Sequence, residues 1–160
     1  MRLTRAAEYA IRCVLYLAKQ TDARVVGRRE VAEAMDIPPA FLVKIAQGLA
    51  KAGIVVVRQG VQGGYVLALP SKDISLLMVV EAMDGEIVLN ECLARPQDCG
   101  RSSFCAVHTV WDKARTAFRK TLSEANFQQL AALDDHPLRS AAPGGGPGAV
   151  CAPKPSTGQA

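Results

Sequence analysis

The residues best suited to chemistry are three cysteines and a histidine in the second half of the chain. Cys92, Cys99 and Cys105 lie within 14 residues, and His108 follows Cys105 by three positions. The segments between the cysteines are polar, which is typical of loops that can fold thiolates around a metal. Thiolate together with imidazole suits an iron–sulfur cluster or zinc. The pattern therefore predicts a metal or cluster site at these four residues.

Roles without an iron–sulfur cluster fit these cysteines less well. Unconnected buried thiols are common in protein cores, but a polar loop would leave such thiols open to oxidation. Closed zinc sites usually place two cysteines about two to four residues apart, and the spacing here is wider. An enzyme with a cysteine nucleophile is the least favoured alternative, because three thiols cluster here and no second base accompanies His108. Elsewhere in the chain, Cys13 is expected to be a core thiol, whereas Cys151 and His136 are given no role.

A long helix must position Cys105 and His108, because their spacing projects both side chains from one face at its start. We predict this helix over about residues 106–122, with an apolar stripe that includes Trp111 and Leu122. The chain has little else to cover so long a stripe, so we predict that it pairs two copies of the chain. The expected dimer residues are Val107, Val110, Ala114, Ala117 and Phe118.

The first half of the chain has the element order of a winged helix-turn-helix. Apolar residues at helical spacing predict a first helix from near Leu3 to Ala18. Two shorter helices follow over about residues 28–35 and 39–52. Prolines 38 and 39 interrupt the helical pattern between them. Residues 54–58 and 65–69 are predicted to form a two-stranded ribbon around a glycine-rich turn. Residues 1–72 are therefore predicted to be a DNA-binding domain.

The predicted fold class is mainly α with a small β-wing, a winged helix-turn-helix followed by a long dimerisation helix. A fourth helix is expected to contain Leu76, Leu77, Val80 and Met83, and a short extended piece over residues 87–89 leads to the cysteines. Residues 123–130 are predicted to add one or two helical turns. Residues 73–133 are assigned to the cluster-binding loop and the dimerisation helix. Five prolines and five glycines among the last 24 residues predict a disordered tail over residues 134–160.

Charge separates the two halves of the chain. Residues 1–72 carry 11 Lys and Arg against 5 Asp and Glu, whereas residues 73–160 carry 8 against 10. This asymmetry indicates a polyanionic partner for the first half alone. An electron-transfer protein would need neither a basic half nor a wing, so that function is disfavoured. No apolar run reaches the length of a membrane span, and no signal peptide is recognisable, so we expect a cytoplasmic protein with reduced thiols.

The DNA contacts are predicted from the usual placement of a recognition helix in the major groove. The outward side of the third helix supplies candidates for the bases, the second helix supplies arginines for phosphates, and the wing lies along the backbone or minor groove. The predicted DNA-binding residues are Arg28, Arg29, Ala40, Phe41, Val43, Lys44, Gln47, Arg58, Gly60, Gly63 and Gly64. A dimer of such domains predicts an imperfect palindrome in double-stranded DNA.

Three motifs together resemble a known family. The start Met1-Arg2-Leu3-Thr4 with Tyr9-Ala10, the wing residues Gly63-Gly64-Tyr65, and the cysteines followed by His108 and Trp111 are similar to the Rrf2 family of iron–sulfur transcription regulators. The resemblance spans about residues 1–133 and is closest to the IscR branch, with NsrR-like proteins second. It implies a homodimer that senses iron–sulfur status, oxidative stress or nitric oxide through a cluster, and that is not an enzyme.

The resemblance also refines the expected ligands. The IscR branch holds a 2Fe–2S cluster on three cysteines and a histidine, which match Cys92, Cys99, Cys105 and His108. In some relatives an acid of the first helix is the fourth ligand, and Glu8 occupies that position, with a 4Fe–4S cluster as the alternative. The chain departs from the pattern at Pro38-Pro39, where relatives often carry a hydroxyl cap, so its DNA sequence preference is expected to differ. A DNA-binding regulator with structural zinc or no metal remains the second hypothesis.

Overall fold

The computed structural model describes residues 3–20 and 24–134. Within these ranges the chain forms seven α-helices and three short strands, which confirms the predicted class. The helices are α1 (Arg5–Ala18), α2 (Arg28–Ala34), α3 (Pro39–Lys51), α4 (Leu76–Asp84), α5 (Glu91–Ala94), α6 (Ala106–Glu124) and α7 (Phe127–Leu133). The strands are β1 (Val26–Gly27), β2 (Val55–Arg58) and β3 (Gly64–Leu67). The predicted tail from residue 135, with His136 and Cys151, lies outside the described residues.

The first helix begins with a side-chain cap that also ties it to α4. Thr4 Oγ1 accepts a hydrogen bond from the backbone N–H of Ala7 at 3.2 Å, which satisfies one of the free N–H groups at the helix start. The backbone N–H of Thr4 donates to a carboxylate oxygen of Asp84 at 3.1 Å. The start of α1 is therefore fixed to the end of α4, 80 residues later in the chain.

The turn between α2 and α3 has the geometry that the prolines impose. Asp36 adopts a left-handed conformation with φ of 51°, Pro38 is the N-cap of α3, and Pro39 is its first helical residue. Proline fits this position because its missing N–H has no helical acceptor there and its fixed φ is already helical. The inner face of α3 buries Leu42, Ile45, Ala46 and Leu49, as its periodicity predicts.

The predicted two-stranded ribbon is present as the antiparallel pair of β2 and β3, and β1 adds a third strand that was not predicted, which gives a sheet with the order β1-β3-β2. Two residues, Val26 and Gly27, pair with Tyr65 and Gly64 of β3. A strand this short has no sequence pattern of its own and forms only through pairing. Gly64 permits that pairing, because a Cβ there would lie 2.0 Å from the carbonyl oxygen of Val26.

The core joins the winged helix to the elements that follow it. Helix α1 packs against α3, α4 and α7. Ile74, Val79 and Phe127 lie in the same buried cluster as Cys13 and Leu42. Helix α4 buries Val79 and Val80, whereas Leu76, Leu77 and Met83, which were also expected in this helix, are only partly buried. The boundary at residue 72 remains a prediction, and the core itself is continuous across it.

Two local predictions after residue 85 need correction. The segment 123–130 is not one helical extension, because α6 ends at Glu124 and the Asn126 side chain caps a new helix by accepting from the Gln129 N–H at 2.9 Å. The segment between Cys92 and Cys99 is not a simple loop. It contains the end of α5, which starts at Glu91, and a turn of 3₁₀ helix over Pro96–Asp98.

Candidate nucleic-acid interface and cysteine segment

The outward face of α3 is free to meet a ligand. All five residues predicted to reach the bases are exposed, namely Ala40, Phe41, Val43, Lys44 and Gln47. Phe41 is the most apolar of them and remains 51% exposed. Val43 is 39% exposed, so the outward face of α3 carries two exposed apolar side chains while its inner face is buried. The geometry therefore supports α3 as the recognition helix.

A groove separates α3 from the wing and brings residues of three elements together. It has a volume of about 360 Å³, and Arg28 from α2, Gln47 from α3 and Arg58 from β2 are among the residues that line it. Two cationic side chains lining one groove suit the phosphates of a nucleic-acid strand. Gln59 also lines the groove and was not among the residues predicted from the sequence. Its place next to Arg58 at the glycine-rich turn could have indicated it.

The other residues predicted to contact DNA from α2 and the wing differ in how free they are to do so. Arg29 forms an ion pair with Glu33 at 2.6 Å, and the hydrogen bond from Arg29 to Glu33 raises the pKa of the arginine above its ordinary value. Gly60 has φ of 106° and closes the wing turn by accepting from the Gly63 N–H at 2.9 Å. Gly64 is buried in β3, where it pairs with Gly27 and Arg58, and its DNA contact stays a prediction.

The candidate ligand cysteines have surroundings unlike those of a core thiol. Cys92, Cys99 and Cys105 are free and partly exposed, whereas Cys13 is fully buried among apolar side chains. Burial raises the pKa of Cys13 to about 12, so this thiol stays protonated and unreactive at neutral pH. Among residues 3–20 and 24–134, no three His, Cys, Asp or Glu side chains lie close enough to hold a metal ion. The ligand set therefore stays a prediction.

His108 carries a polar atom that lacks a partner. Its Nδ1 atom is buried and has no hydrogen-bond partner among the described residues. Leaving such a nitrogen unsatisfied costs about 1–3 kcal/mol, so a buried imidazole nitrogen normally has a donor, an acceptor or a metal beside it. Cys105 is the N-cap residue of α6, and His108 lies in the first turn of that helix. Glu8 is exposed in the first turn of α1 and forms no ion pair with the described residues.

Helix α6 lies on the body of the protein without burying any residue. The predicted apolar stripe is exposed: Val107 and Val110 are 61% and 64% exposed, and Phe104 just before the helix is 75% exposed. Ala114, Ala117 and Phe118 are exposed as well. A 19-residue amphipathic helix with this much apolar surface in water is typical of a protein–protein interface.

Polar contacts attach α6 to α4 and to the segment before the cysteines. Arg119 of α6 forms an ion pair with Glu81 of α4. The same carboxylate oxygen accepts the backbone N–H of Ile87 at 3.0 Å. Arg115 approaches Glu86 at 3.8 Å and Asp112 at 2.8 Å. Glu81 therefore connects three parts of the molecule: α4, α6 and the chain that leads to Cys92.

A recognition helix, an adjoining wing and a groove lined by arginines define the class of winged-helix DNA-binding proteins. The chain belongs to the Rrf2 family, described as iron-dependent transcriptional regulators, whose sequence profile matches residues 3–133. In the part of the chain that the structure describes, no helix is long and apolar enough to cross a membrane.

Relatives and solved structures agree with this membership. The chain is 30% identical over 131 residues to the HTH-type transcriptional regulator NsrR of Oceanobacillus iheyensis, covering 81% of this chain and 89% of that protein. It is 28% identical over 130 residues to the HTH-type transcriptional regulator IscR of Vibrio atlanticus, covering 81% and 75%. The structure of CymR, the global cysteine regulator of B. subtilis, superposes with a TM-score of 0.70 at 21% identity, covering 84% and 99%.

These findings confirm several predictions from the sequence. The protein is a DNA-binding transcription regulator with a winged helix, and its relatives are named as regulators rather than enzymes. The likeness to CymR shows the fold alone, because the sequence identity is low.

Proposed function

We propose that the protein is a homodimeric transcription regulator of the cytoplasm whose affinity for DNA depends on an iron–sulfur cluster. Cys92, Cys99, Cys105 and His108 would hold the cluster. The observation that carries the proposal is the buried His108 Nδ1 atom without a partner among the described residues, one helical turn from a free and partly exposed Cys105. The description of the family as iron-dependent transcriptional regulators supports an iron-containing cofactor, and the resemblance to the IscR branch implies a cluster.

The donor set fits an iron–sulfur cluster in its chemistry. Thiolates are the usual ligands of such clusters, and imidazole replaces thiolate in some of them. The four residues are not gathered in this structure, so residues 92–105 must close around the cofactor. By resemblance to the IscR branch, three cysteines with one histidine imply a 2Fe–2S cluster, and Glu8 in place of His108 would imply a 4Fe–4S cluster. Such a group supplies sensitivity to oxidation, to nitric oxide and to the supply of iron.

A second copy of the chain is the proposed partner of α6. The exposed stripe of Val107, Val110, Ala114, Ala117 and Phe118 is self-complementary if two helices pack about a two-fold axis. Pairing of this kind would bury the apolar surface that a single chain leaves in water. It would also place two α3 helices on one side of a duplex, which predicts an operator with an imperfect palindrome.

A continuous set of contacts runs from the cysteine segment to the recognition helix. Cys105 is the N-cap residue of α6, and α6 is tied to α4 through the ion pair of Arg119 with Glu81. Helix α4 touches α3 closely, because a Cβ on Gly48 would lie 2.5 Å from the terminal methyl of Met83. Ordering of residues 92–105 would therefore shift α6 and α4, and with them the spacing of the two recognition helices. DNA affinity changes if the two arrangements bind DNA differently.

On the DNA, we propose that Ala40, Phe41, Val43, Lys44 and Gln47 face the bases in the major groove. Arg28 and Arg58 contact phosphates along the groove between α3 and the wing, and Gly60 with Gly63 brings the wing turn close to the backbone. Arg29 takes part only after exchanging its contact with Glu33 for a phosphate. Replacement of Arg58 by glutamine should lower the salt dependence of binding by about one phosphate contact.

Cofactor content of the anaerobically purified protein tests the ligand set. We expect a coloured protein that contains iron and sulfide, and variants Cys92→Ala, Cys99→Ala, Cys105→Ala and His108→Ala that lose both. Cys13→Ala is the matched control, because it removes a thiol from the core and should retain the cofactor. Loss of the cofactor in Glu8→Ala but not in His108→Ala would assign the fourth ligand to Glu8. A colourless protein with stoichiometric zinc would replace the proposal by that of a zinc-containing regulator.

A further inference from the structure

The first turn of α3 has unusual chemistry for a helix that reads DNA. In helix-turn-helix proteins the N-terminal residues of the recognition helix lie nearest the base edges. Here the N-cap is Pro38, which makes no side-chain hydrogen bond, and Pro39 and Ala40 follow. The next side chain is Phe41. The first turn therefore offers the bases no side-chain hydrogen-bond donor or acceptor, and its exposed surface is apolar.

The ring of Phe41 is held in place by α1. Its centroid lies 6.1 Å from that of Tyr9, and the two rings meet edge to face at 63°. The guanidinium carbon of Arg12 lies 5.6 Å from the centroid of the Tyr9 ring, and Arg12 also donates to the carbonyl of Met35 at 3.5 Å. Both ring distances are within the ranges for attractive aromatic and cation–π contacts. Arg12, Tyr9 and Phe41 thus form a row of contacts that links α1 to the exposed end of α3.

An apolar ring fixed at the base edges needs an apolar group of the DNA to contact. The major groove presents donors and acceptors on every base pair, and its distinctive apolar group is the C5-methyl of thymine. Contact between an aromatic side chain and this methyl is a known form of direct readout. Lys44 and Gln47 lie one and two turns further along α3 and can serve polar positions deeper in the site.

We infer that Phe41 recognises a thymine methyl in each half-site and that Tyr9, steadied by Arg12, is a positioning residue for this contact. The inference rests on the proposed placement of α3 in the major groove. A ring held by its neighbours loses little conformational freedom on binding, so most of the gain from burying the methyl is retained. Tyr9 would therefore influence which DNA sequence the regulator prefers, although it lies on α1 and not on the recognition helix.

Replacement of thymine by deoxyuridine isolates this contact, because it removes the methyl and leaves base pairing unchanged. A tight-binding duplex is first selected from random sequences with the full-length protein carrying its cofactor. Each thymine is then exchanged singly for deoxyuridine, and dissociation constants are measured. We expect one position in each half-site to lose about fourfold in affinity, the factor for one buried methyl-sized group. The variant Phe41→Ala should bind the selected duplex more weakly than the wild type does. It should also bind that duplex and its deoxyuridine-substituted version with equal affinity.

Variants of Tyr9 separate positioning from general stability. Tyr9→Leu removes the aromatic edge and should reduce the thymine preference, whereas Tyr9→Phe keeps the ring and should restore it. Leu133→Ala, which alters an exposed residue of α7, serves as the control for surface changes. The inference would be overturned if the wild type bound equally well with deoxyuridine at every position, or if Phe41→Ala kept the preference for thymine. Either result would leave the proposed binding of α3 to DNA unaffected. Failure to select any duplex would overturn the proposed interface as well.

Discussion

Cys13 and Cys105 belong to two regions of the molecule that differ in how they are held together. Cys13 lies fully buried in a core shared by α1, α3, α4 and α7. Between Val88 and Glu124, by contrast, Leu93 is the one buried residue, and α6 buries none. The winged-helix body is complete in a single chain, whereas the cysteine segment and α6 leave apolar surface and a buried nitrogen unsatisfied. Sensing is therefore expected to reside in the second region and readout in the first.

The largest expected effect concerns the core that unites the body. Phe127, the first residue of α7, is fully buried against residues from the winged helix, whereas Leu133, the last residue of the same helix, is 78% exposed. Phe127→Ala should lower the free energy of unfolding by about 3–5 kcal/mol through lost burial and a cavity. Leu133→Ala should change it by less than about 0.5 kcal/mol. Urea denaturation measures both, and equal effects would show that α7 is not part of the core.

Alkaline pH should weaken the same core through Cys13. Burial raises the pKa of this thiol from 9.0 to about 12, so the folded state favours the neutral form. This stabilisation is fully present below pH 9 and is lost as the pH rises towards 12, by an amount on the order of 4 kcal/mol. Tyr16 is shifted in the same direction, to about 12, by burial and by its hydrogen bond to Glu30.

The variant Cys13→Ala separates the two contributions. Its free energy of unfolding should fall less steeply than that of the wild type between pH 9 and 12, and the remaining slope is expected from Tyr16 and from Tyr65, whose pKa burial also raises. Identical slopes in denaturation curves across this range would mean that Cys13 does not ionise on unfolding, contrary to the expected linkage.

A charge in the exposed apolar stripe of α6 is expected to affect dimerisation and not the stability of the single chain. Val110→Asp should raise the dimer dissociation constant on the order of a hundredfold, because two-fold symmetry places two unpaired carboxylates in an apolar interface. The stability of the single chain should hardly change, since Val110 is already in water. Thr116→Asp adds the same charge to α6 away from the stripe and should leave the dimer intact. Sedimentation velocity compares the two, and equal behaviour would place the interface elsewhere.

The sequence predicted the elements whose signals are local. Helices α1 to α3 begin and end within two residues of the expected positions, because apolar periodicity, Pro39 and Gly53 mark them within the chain itself. Strand β1 was missed because its two residues form a strand only by pairing with β3. Helix α5 was missed because a single turn, started by Asn90, has no periodicity to detect.

The features of the candidate site likewise fall into those that local sequence patterns predict and those that depend on tertiary packing. Spacing indicated the cysteines and His108, and helical phase indicated the exposed face of α3. The groove between α3 and the wing could not be predicted, because it depends on how Arg28, Gln47 and Arg58 from three elements meet. The contact of Glu81 with Arg119 spans 38 residues and joins two helices whose packing no local pattern specifies.

Control of DNA binding by the cysteine segment is measured most directly as a pair of dissociation constants. Both are determined for one selected duplex, at fixed salt, with the same preparation before and after cofactor removal. We expect them to differ by about 5- to 150-fold, the usual range of allosteric coupling, and the difference should disappear in Cys105→Ala. Equal affinity in the two states, in a protein shown to gain and lose iron and sulfide, would contradict the proposed coupling between cluster and DNA.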